Sequence, residues 1–340
     1  MNNNFARIIK LVFSFFPKWR LYGFSVAFWS LIFPFQKILV SLKPFFGKRK
    51  HSAILNYLIN RYGKIINKHL NCKQDKYSFI KQNSPVWVCW WDGPEAMPPV
   101  VKICYDSIIH NAGDHPVNFI TKNNFKDFVS IPEYIIEKLN SKIITITSFS
   151  DILRAVLLFE YGGIWMDITI YVMNNPSFTD YPFFTLKAPA RTASITLYDY
   201  SGLANHMINF CDDKNRQISR WSSFLLAGTE KSPFFEYIRD FYYAYWQDHN
   251  NQIDYMLVDY IIAIGYDYIP LIRALIDNVP CSNAEKFELE KDLNNEYNEN
   301  NFSQYRNTPF HKLTWKKDFL PYIKRNKLTN YGYLAGYMNK

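Results

Sequence analysis

SFSDILRAVLLFEYGGIWMDIT, residues 148–169, sets two carboxylates and an arginine around one helix-to-strand turn. Ser148 and Asp151 form an S-x-x-D pattern, which satisfies free backbone N–H groups at a helix start. Helical spacing continues to about Tyr161. Asp151 and Arg154 are three apart and share a face, while Ile152, Leu153, Val156 and Leu157 supply an apolar one. Gly162 and Gly163 close the helix, since glycine tolerates the left-handed conformation needed there, and lead into the short apolar strand Ile164-Trp165-Met166. Asp167 follows at once. A carboxylate at the mouth of a buried strand must be solvated, paired or used, because burying it alone is costly.

Outward from this block, strand and helix alternate. Pro85 precedes VWVCWW at 86–91, a buried strand broken by Asp92-Gly93-Pro94. Residues 99–110 have helical spacing, 117–121 read as a second strand, 132–139 as a helix and 142–147 as a third strand. The order predicts an α/β fold, a mainly parallel sheet flanked by helices, with ligands beyond the carboxyl ends of the strands. Alternation along the first strand sends some of its three tryptophans to the core. After Asp167 come a turn at 174–176, a strand at 182–186, the block WSSFLLAG at 221–228 and an aromatic helix at 233–246. Asp254, Tyr255 and Asp259 are expected on a further helix. Residues 285–301 read as a solvated helix and loop.

The order SDxxR followed by YGGIxxD, with sixteen residues from Asp151 to Asp167, resembles the sugar-binding region of glycosyltransferase family 32, and especially its bacterial capsular polysaccharide synthesis branch. The likeness extends more loosely over residues 86–315. It implies a GT-A type, Rossmann-like domain and retention of anomeric configuration. It also implies that Asp151 and Arg154 contact the donor's sugar and phosphates and that Tyr161, Gly162, Gly163, Asp167 and Thr169 belong to the donor site. Trp87 in the first strand resembles the position where related sugar transferases use an aromatic or backbone edge to hold the nucleotide base, which implies a stacking contact worth about 1–3 kcal/mol. Asp254-Tyr255 resembles a D-Y pair common in the capsular branch, which implies that Asp254 bonds a sugar hydroxyl or the acceptor, the alternative being a carboxylate merely favoured at a helix terminus. The family often reads D-x-D at the strand end and holds a divalent cation there. This chain reads Asp167-Ile168-Thr169, so Asp167 alone remains as a charged ligand for Mn²⁺ or Mg²⁺, and a threonine hydroxyl replaces the second poorly. HKLTWK at 311–316 resembles the family's closing element. His311 or Lys312 there is expected on the donor diphosphate, stabilising the leaving group as a metal does elsewhere.

Charge is unevenly placed. The first 74 residues hold thirteen Lys or Arg and no Asp or Glu, whereas residues 75–340 carry 26 basic and 30 acidic groups. Phe5, Ile8, Ile9, Phe13, Phe16 and Trp19 are interleaved with the bases. This predicts a helical, basic and aromatic appendage over residues 1–75 and a transferase domain over 76–340. The longest uncharged run, residues 21–36, has 16 residues and contains Pro34. Spanning a bilayer takes about 20, so an interfacial anchor on a membrane surface is expected. A signal peptide fits less well, for charges recur at Lys18 and Arg20 without a cleavage site. A nucleic-acid-binding arm leaves the large apolar residues without a role. The remaining alternative is an amphipathic helix packed on the protein's own domain.

Five cysteines without C-x-x-C spacing indicate neither a zinc site nor a disulfide framework, and a reducing cytoplasm fits them. No H-E-x-x-H, G-x-S-x-G or P-loop is present, which removes support for hydrolases and kinases. The expectation is a peripheral glycosyltransferase on the cytoplasmic face of the membrane. It takes a sugar from a nucleoside diphosphate sugar to a lipid-linked oligosaccharide, with Asp167, Arg154 and Asp254 as catalytic residues and no nucleic-acid partner. Its rivals are a nucleotide-sugar-binding scaffold that has lost activity and a transferase that glycosylates protein.

Overall fold

A computed structural model describes residues 3–34, 43–74, 78–174, 177–189, 210–211, 217–280 and 286–336. Two of the three residues of the turn expected at 174–176 lie outside these, as does Glu285. The central sheet contains β1 (Val86–Cys89), β2 (Val117–Ile120), β3 (Gly163–Met166), β5 (Phe183–Thr185) and β6 (Leu225–Gly228), in the order β2-β1-β3-β6-β5. β1 pairs in parallel with both β2 and β3, while β6 runs antiparallel to β3 and to β5. Four of the five strands therefore point one way. α4 (Pro99–His110) links β1 to β2, and the chain then returns through α5 (Glu133–Asn140) and α6 (Ile146–Tyr161) to place β3 on the other side of β1. That reversal makes the gap between the carboxyl ends of β1 and β3 a topological switch point, where open α/β sheets bind ligands.

The strand expected at 142–147 is absent. The N–H groups of Ile143 and Ile144 both donate to the Lys138 carbonyl, closing α5, so they are not available to a ladder. The cap of α6 also lies earlier than expected. Thr145, not Ser148, is the N-cap, its hydroxyl accepting from the Ser148 N–H at 3.2 Å. The other end of α6 follows the sequence reading. Gly162 and Gly163 take φ of 64° and 94°, and a Cβ on Gly163 would lie 2.1 Å from the Pro85 carbonyl oxygen, which accepts from Ile164. Glycine here lets β3 come alongside the lead-in to β1.

α7 (Pro233–Asp248), α8 (Leu257–Tyr268) and α9 (Pro270–Asp277) complete the main core, with Phe234, Phe235, Tyr237, Phe241, Tyr242, Tyr245 and Trp246 all fully buried on α7. The start of α8 at Leu257 leaves Asp254 and Tyr255 in the preceding loop and only Asp259 on the helix. β4 (Ile170–Val172) pairs antiparallel with β7 (Phe310–Lys312), near the far end of the chain. A second, smaller core, in which Val101 and Cys104 of α4 meet Ile168, Leu289, Leu293, Phe302 and Leu313, fastens this pair to the sheet. The segment expected to be solvated thus forms two short helices, Glu288–Asp292 and Glu299–Phe302, whose Leu289 and Phe302 are buried.

The basic N-terminus forms α1 (Asn3–Tyr22), α2 (Phe24–Ile32) and α3 (Lys43–His69). Ile54, Leu58, Tyr62 and Ile66 of α3 join the main core beside α7 and α8. Ion pairs from Arg61 to Asp248 (2.9 Å) and from Lys68 to Asp240 (2.6 Å) line the same seam. The outer hairpin of α1 and α2 leaves Phe13, Phe16, Trp19 and Phe24 exposed. Among the described residues no helix is long and apolar enough to cross a membrane.

Candidate functional site

A cleft of about 540 Å³ opens at the switch point. Its walls come from the residues just past β1 (Trp90, Trp91), the first turns of α6 (Ser150, Arg154), the turn after β3 (Asp167, Thr169), Tyr255, and Lys312 with Trp315. Sheet topology explains why Asp167 is there. It is the first residue past the carboxyl end of β3, its N–H donates to the Phe224 carbonyl, and its own carbonyl accepts from Ile170 in a tight turn that brings Thr169 alongside. Lys312 arrives through β7. It stands opposite Ile170, and Leu313 N–H donates to the Thr169 carbonyl at 2.9 Å, so the lysine side chain is fixed over the Asp167–Thr169 turn.

The charges form one connected chain. Lys312 Nζ donates to Asp167 Oδ2 at 3.0 Å and to Thr169 Oγ1 at 2.5 Å. Asp167 Oδ1 accepts from the Trp165 indole at 3.1 Å and lies 3.5 Å from Arg154, which also meets Asp151 at 3.0 Å. Tyr242 donates to the other oxygen of Asp151 at 3.3 Å. Burial pushes the Asp167 carboxyl up, but Lys312 and Arg154 more than offset it, leaving it below the ordinary range and ionised. Asp151 sits deeper. Burial, resisted by Arg154 and reinforced by Asp167, raises it to about 6. Behind both lies Asp259 on α8, raised by burial to about 7 although the Trp221 indole donates to it at 3.0 Å.

Arg154 serves this chain from within. Its guanidinium donates to the carbonyls of Ser150 and Ser223 as well as to the two carboxylates, and stands over the Trp165 ring, so all three nitrogens are engaged by protein. It therefore positions Asp151 and Asp167 rather than offering a clamp of its own. Recognition surfaces in the cleft are aromatic. Trp90 and Trp315 meet edge to face with centroids 6.0 Å apart, and Tyr255 is 75% exposed. Rings so placed suit a sugar or a base.

A family model described as capsular polysaccharide synthesis protein matches residues 36–331, a span that contains the whole sheet and every residue named around the cleft. The chain belongs to the capsular polysaccharide synthesis protein family. No curated protein matches it.

In this capsular polysaccharide synthesis protein the structure gathers Asp151, Arg154, Asp167, Thr169 and Lys312, and moves other expected site residues away. Trp87 is corrected to a core residue. It is 3% exposed, its indole donates to the Gly162 carbonyl at 2.9 Å, and its ring packs on Phe128 and Tyr161. Tyr161, Gly162 and Gly163 lie at the amino end of β3, the end opposite Asp167, where they shape the turn. His311 alternates with Lys312 along β7 and so faces inward. It is fully buried, bonded to the Tyr305 carbonyl at 3.0 Å, and burial lowers it to about 4. Asp254 pairs with Lys50 of α3 at 2.5 Å and accepts from Met256 N–H, so it ties the loop before α8 to the N-terminal helices. Its neighbour Tyr255 lines the cleft instead.

Trp90, Trp315 and Tyr255 were not legible as site residues. Each follows or adjoins an expected element, but only the three-dimensional end of the sheet shows that they converge.

The set does not fit the divalent cation that the Asp167 position implies. Both oxygens of Asp167 already meet cations or a donor, Thr169 is taken by Lys312, and Asp151 is taken by Arg154 and Tyr242. Among the described residues no group of three or more His, Cys, Asp or Glu is placed to hold a metal ion.

Proposed function

We propose that the cleft is the donor site of a glycosyltransferase of GT-A type, related to glycosyltransferase family 32, which moves a sugar from a nucleoside diphosphate sugar to a lipid-linked acceptor during capsular polysaccharide synthesis. The observation that carries this reading is the Asp151–Arg154–Asp167–Lys312 chain at the β1/β3 switch point, walled by exposed aromatic rings. Transfer from a diphosphate sugar needs the sugar held, the leaving phosphate's charge offset and the acceptor hydroxyl brought to the anomeric carbon. Asp167, its side chain 30% exposed at the cleft and ionised, suits the sugar hydroxyls. Lys312 suits the phosphate, and Trp90, Trp315 and Tyr255 suit the base and the sugar faces.

Among the described residues no second carboxylate stands free at the cleft to act as nucleophile, since Asp151 is engaged, Asp259 lies behind it, and Asp92 in the cleft wall is paired with Lys122. A same-face displacement assisted by the leaving phosphate, with retention, is the economical route. The exposed aromatic residues of α1 and α2, together with Arg20, Lys48 and Arg49, support association with an anionic membrane surface, where a lipid-borne acceptor is concentrated. A lipid acceptor is favoured over protein on this ground.

The test is transfer from a panel of UDP, GDP and CMP sugars to lipid-linked acceptor in vesicles, with NMR of the product. Turnover with one donor is expected, reduced about 100-fold or more by Asp167→Asn, a loss of the size seen when one charge-stabilising group is removed from an active site. Nucleotide binding without turnover for any acceptor would favour the scaffold. An inverted product would overturn the retaining route.

A further inference from the structure

We propose that this cleft binds the diphosphate of its substrate without a divalent cation, the ammonium of Lys312 standing in the place of the ion. The proposal rests on the donor reading above and concerns how that site is charged.

The ammonium bridges the two side chains that a metal would need. It lies 3.0 Å from Asp167 Oδ2 and 2.5 Å from Thr169 Oγ1, the residues at the two ends of the Asp-x-Thr turn. A hard divalent cation such as magnesium binds oxygen at about 2.0–2.1 Å and is held by one or two carboxylates together with phosphate and water oxygens. To enter, it would have to displace a like charge from Asp167 and accept a hydroxyl in place of a second carboxylate. The ammonium, by contrast, matches the hydroxyl, which accepts its hydrogen bond without needing any charge.

The position of Lys312 is imposed by the backbone, not by the ion pair alone. Register in the β4–β7 pair puts residue 312 opposite Ile170, and its N–H donates to the Lys286 carbonyl. The ammonium also stands over the Phe224 ring, with Nζ 5.1 Å from the ring centroid. An ammonium has three N–H donors, and two go to Asp167 and Thr169. The third is left for an anion entering the cleft, whose lining includes this lysine. Arg154 balances the second carboxylate from behind, so that the pair Asp151 and Asp167 is already neutralised by Arg154 and Lys312 before any ligand arrives. A phosphate oxygen that takes the third N–H also competes for Lys312 with Asp167, freeing that carboxylate to accept from a sugar hydroxyl. Thr169 then departs from the two-aspartate pattern because a second carboxylate is not needed.

The experiment is calorimetric titration of the full chain with UDP, GDP and CDP, in EDTA and again in excess Mn²⁺. The expected result is one nucleotide bound with a Kd in EDTA within threefold of that in Mn²⁺. Lys312→Met weakens it tenfold or more in both conditions, whereas Lys312→Arg, which keeps the charge, retains binding in EDTA and guards against a folding defect in the Met variant. The double variant Lys312→Met, Thr169→Asp regains affinity only when Mn²⁺ is present. Binding to the unaltered protein that EDTA weakens tenfold or more overturns the proposal while leaving the donor site standing. Absence of binding by every nucleotide in both conditions overturns the donor reading, and this proposal with it.

Discussion

Asp259 carries a proton that its exposed counterparts have lost. It is buried on α8 with the Trp221 indole donating to it, and burial, reinforced by the charges of Asp151 and Asp254 and resisted by Arg154, raises it from 3.8 to about 7. Between pH 4 and 7 the folded chain therefore holds a proton that the unfolded chain has released, so raising the pH through this window lowers stability. Asn at this position accepts the Trp221 hydrogen bond without titrating. The stability of the native protein relative to Asp259→Asn is accordingly expected to fall by up to about 1.4 kcal/mol per pH unit from pH 4 to 7 and to level off above, read by urea unfolding at several pH values. At this scale the sequence was only half readable. SDILR and YGGIWMD announced Asp151, Arg154 and Asp167, and HKLTWK announced Lys312, because their spacing resembles the blocks of a known family. Whether a side chain faces the cleft or the core was not written there. His311 and Lys312 are adjacent and differ only in which side of a strand they occupy, and the sequence does not show that Arg154, which lines the cleft, also bonds the Ser150 and Ser223 carbonyls.

Among the elements, the α6–β3 turn sets the geometry on which the rest depends. Gly163 has φ of 94° and approaches the Pro85 carbonyl too closely for any side chain, whereas Gly93, at 89°, has nothing within 4 Å of its would-be Cβ. Gly163→Ala is expected to lose more than about 1 kcal/mol, because strain and a clash act together, and Gly93→Ala to lose less, through strain alone. Chemical denaturation of the two variants measures the difference. This turn was legible because two glycines after an amphipathic run have few other readings. The strand expected at 142–147 was misread for a local reason. Ile144 and Ile146 alternate with Thr145 and Thr147 as a strand would, yet Ile143 and Ile144 spend their N–H groups on closing α5. Similarly, LLAG at 225–228 gave no hint of running against its neighbours, since strand direction depends on connections that an apolar run does not encode.

For the molecule as a whole, the placement of apolar surface separates two functions of the N-terminus. α3 is buried in the main core, while the tip formed by Phe15, Phe16, Trp19 and Phe24 packs mainly on itself, with ring centroids 5.4–6.2 Å apart. Replacing Phe13, Phe16 and Trp19 together by serine is expected to lower stability by only about 1–2 kcal/mol, since all three are largely exposed and their ring contacts are confined to the tip. The same change should weaken co-sedimentation with phosphatidylglycerol vesicles by about tenfold or more, as each ring otherwise buries apolar surface in the lipid. Unaltered sedimentation would return the hairpin to a packing role. The pairing of β4 with β7 carries a further consequence, for the timing of biosynthesis. Lys312 reaches Asp167 across 145 residues of chain. At translation rates of about 5–20 residues per second, Asp167 emerges roughly 7 to 30 seconds before its partner. On the proposed membrane reading, the hairpin of α1 and α2 has that interval to meet a bilayer while the cleft is still unfinished, so that attachment would precede the ability to act.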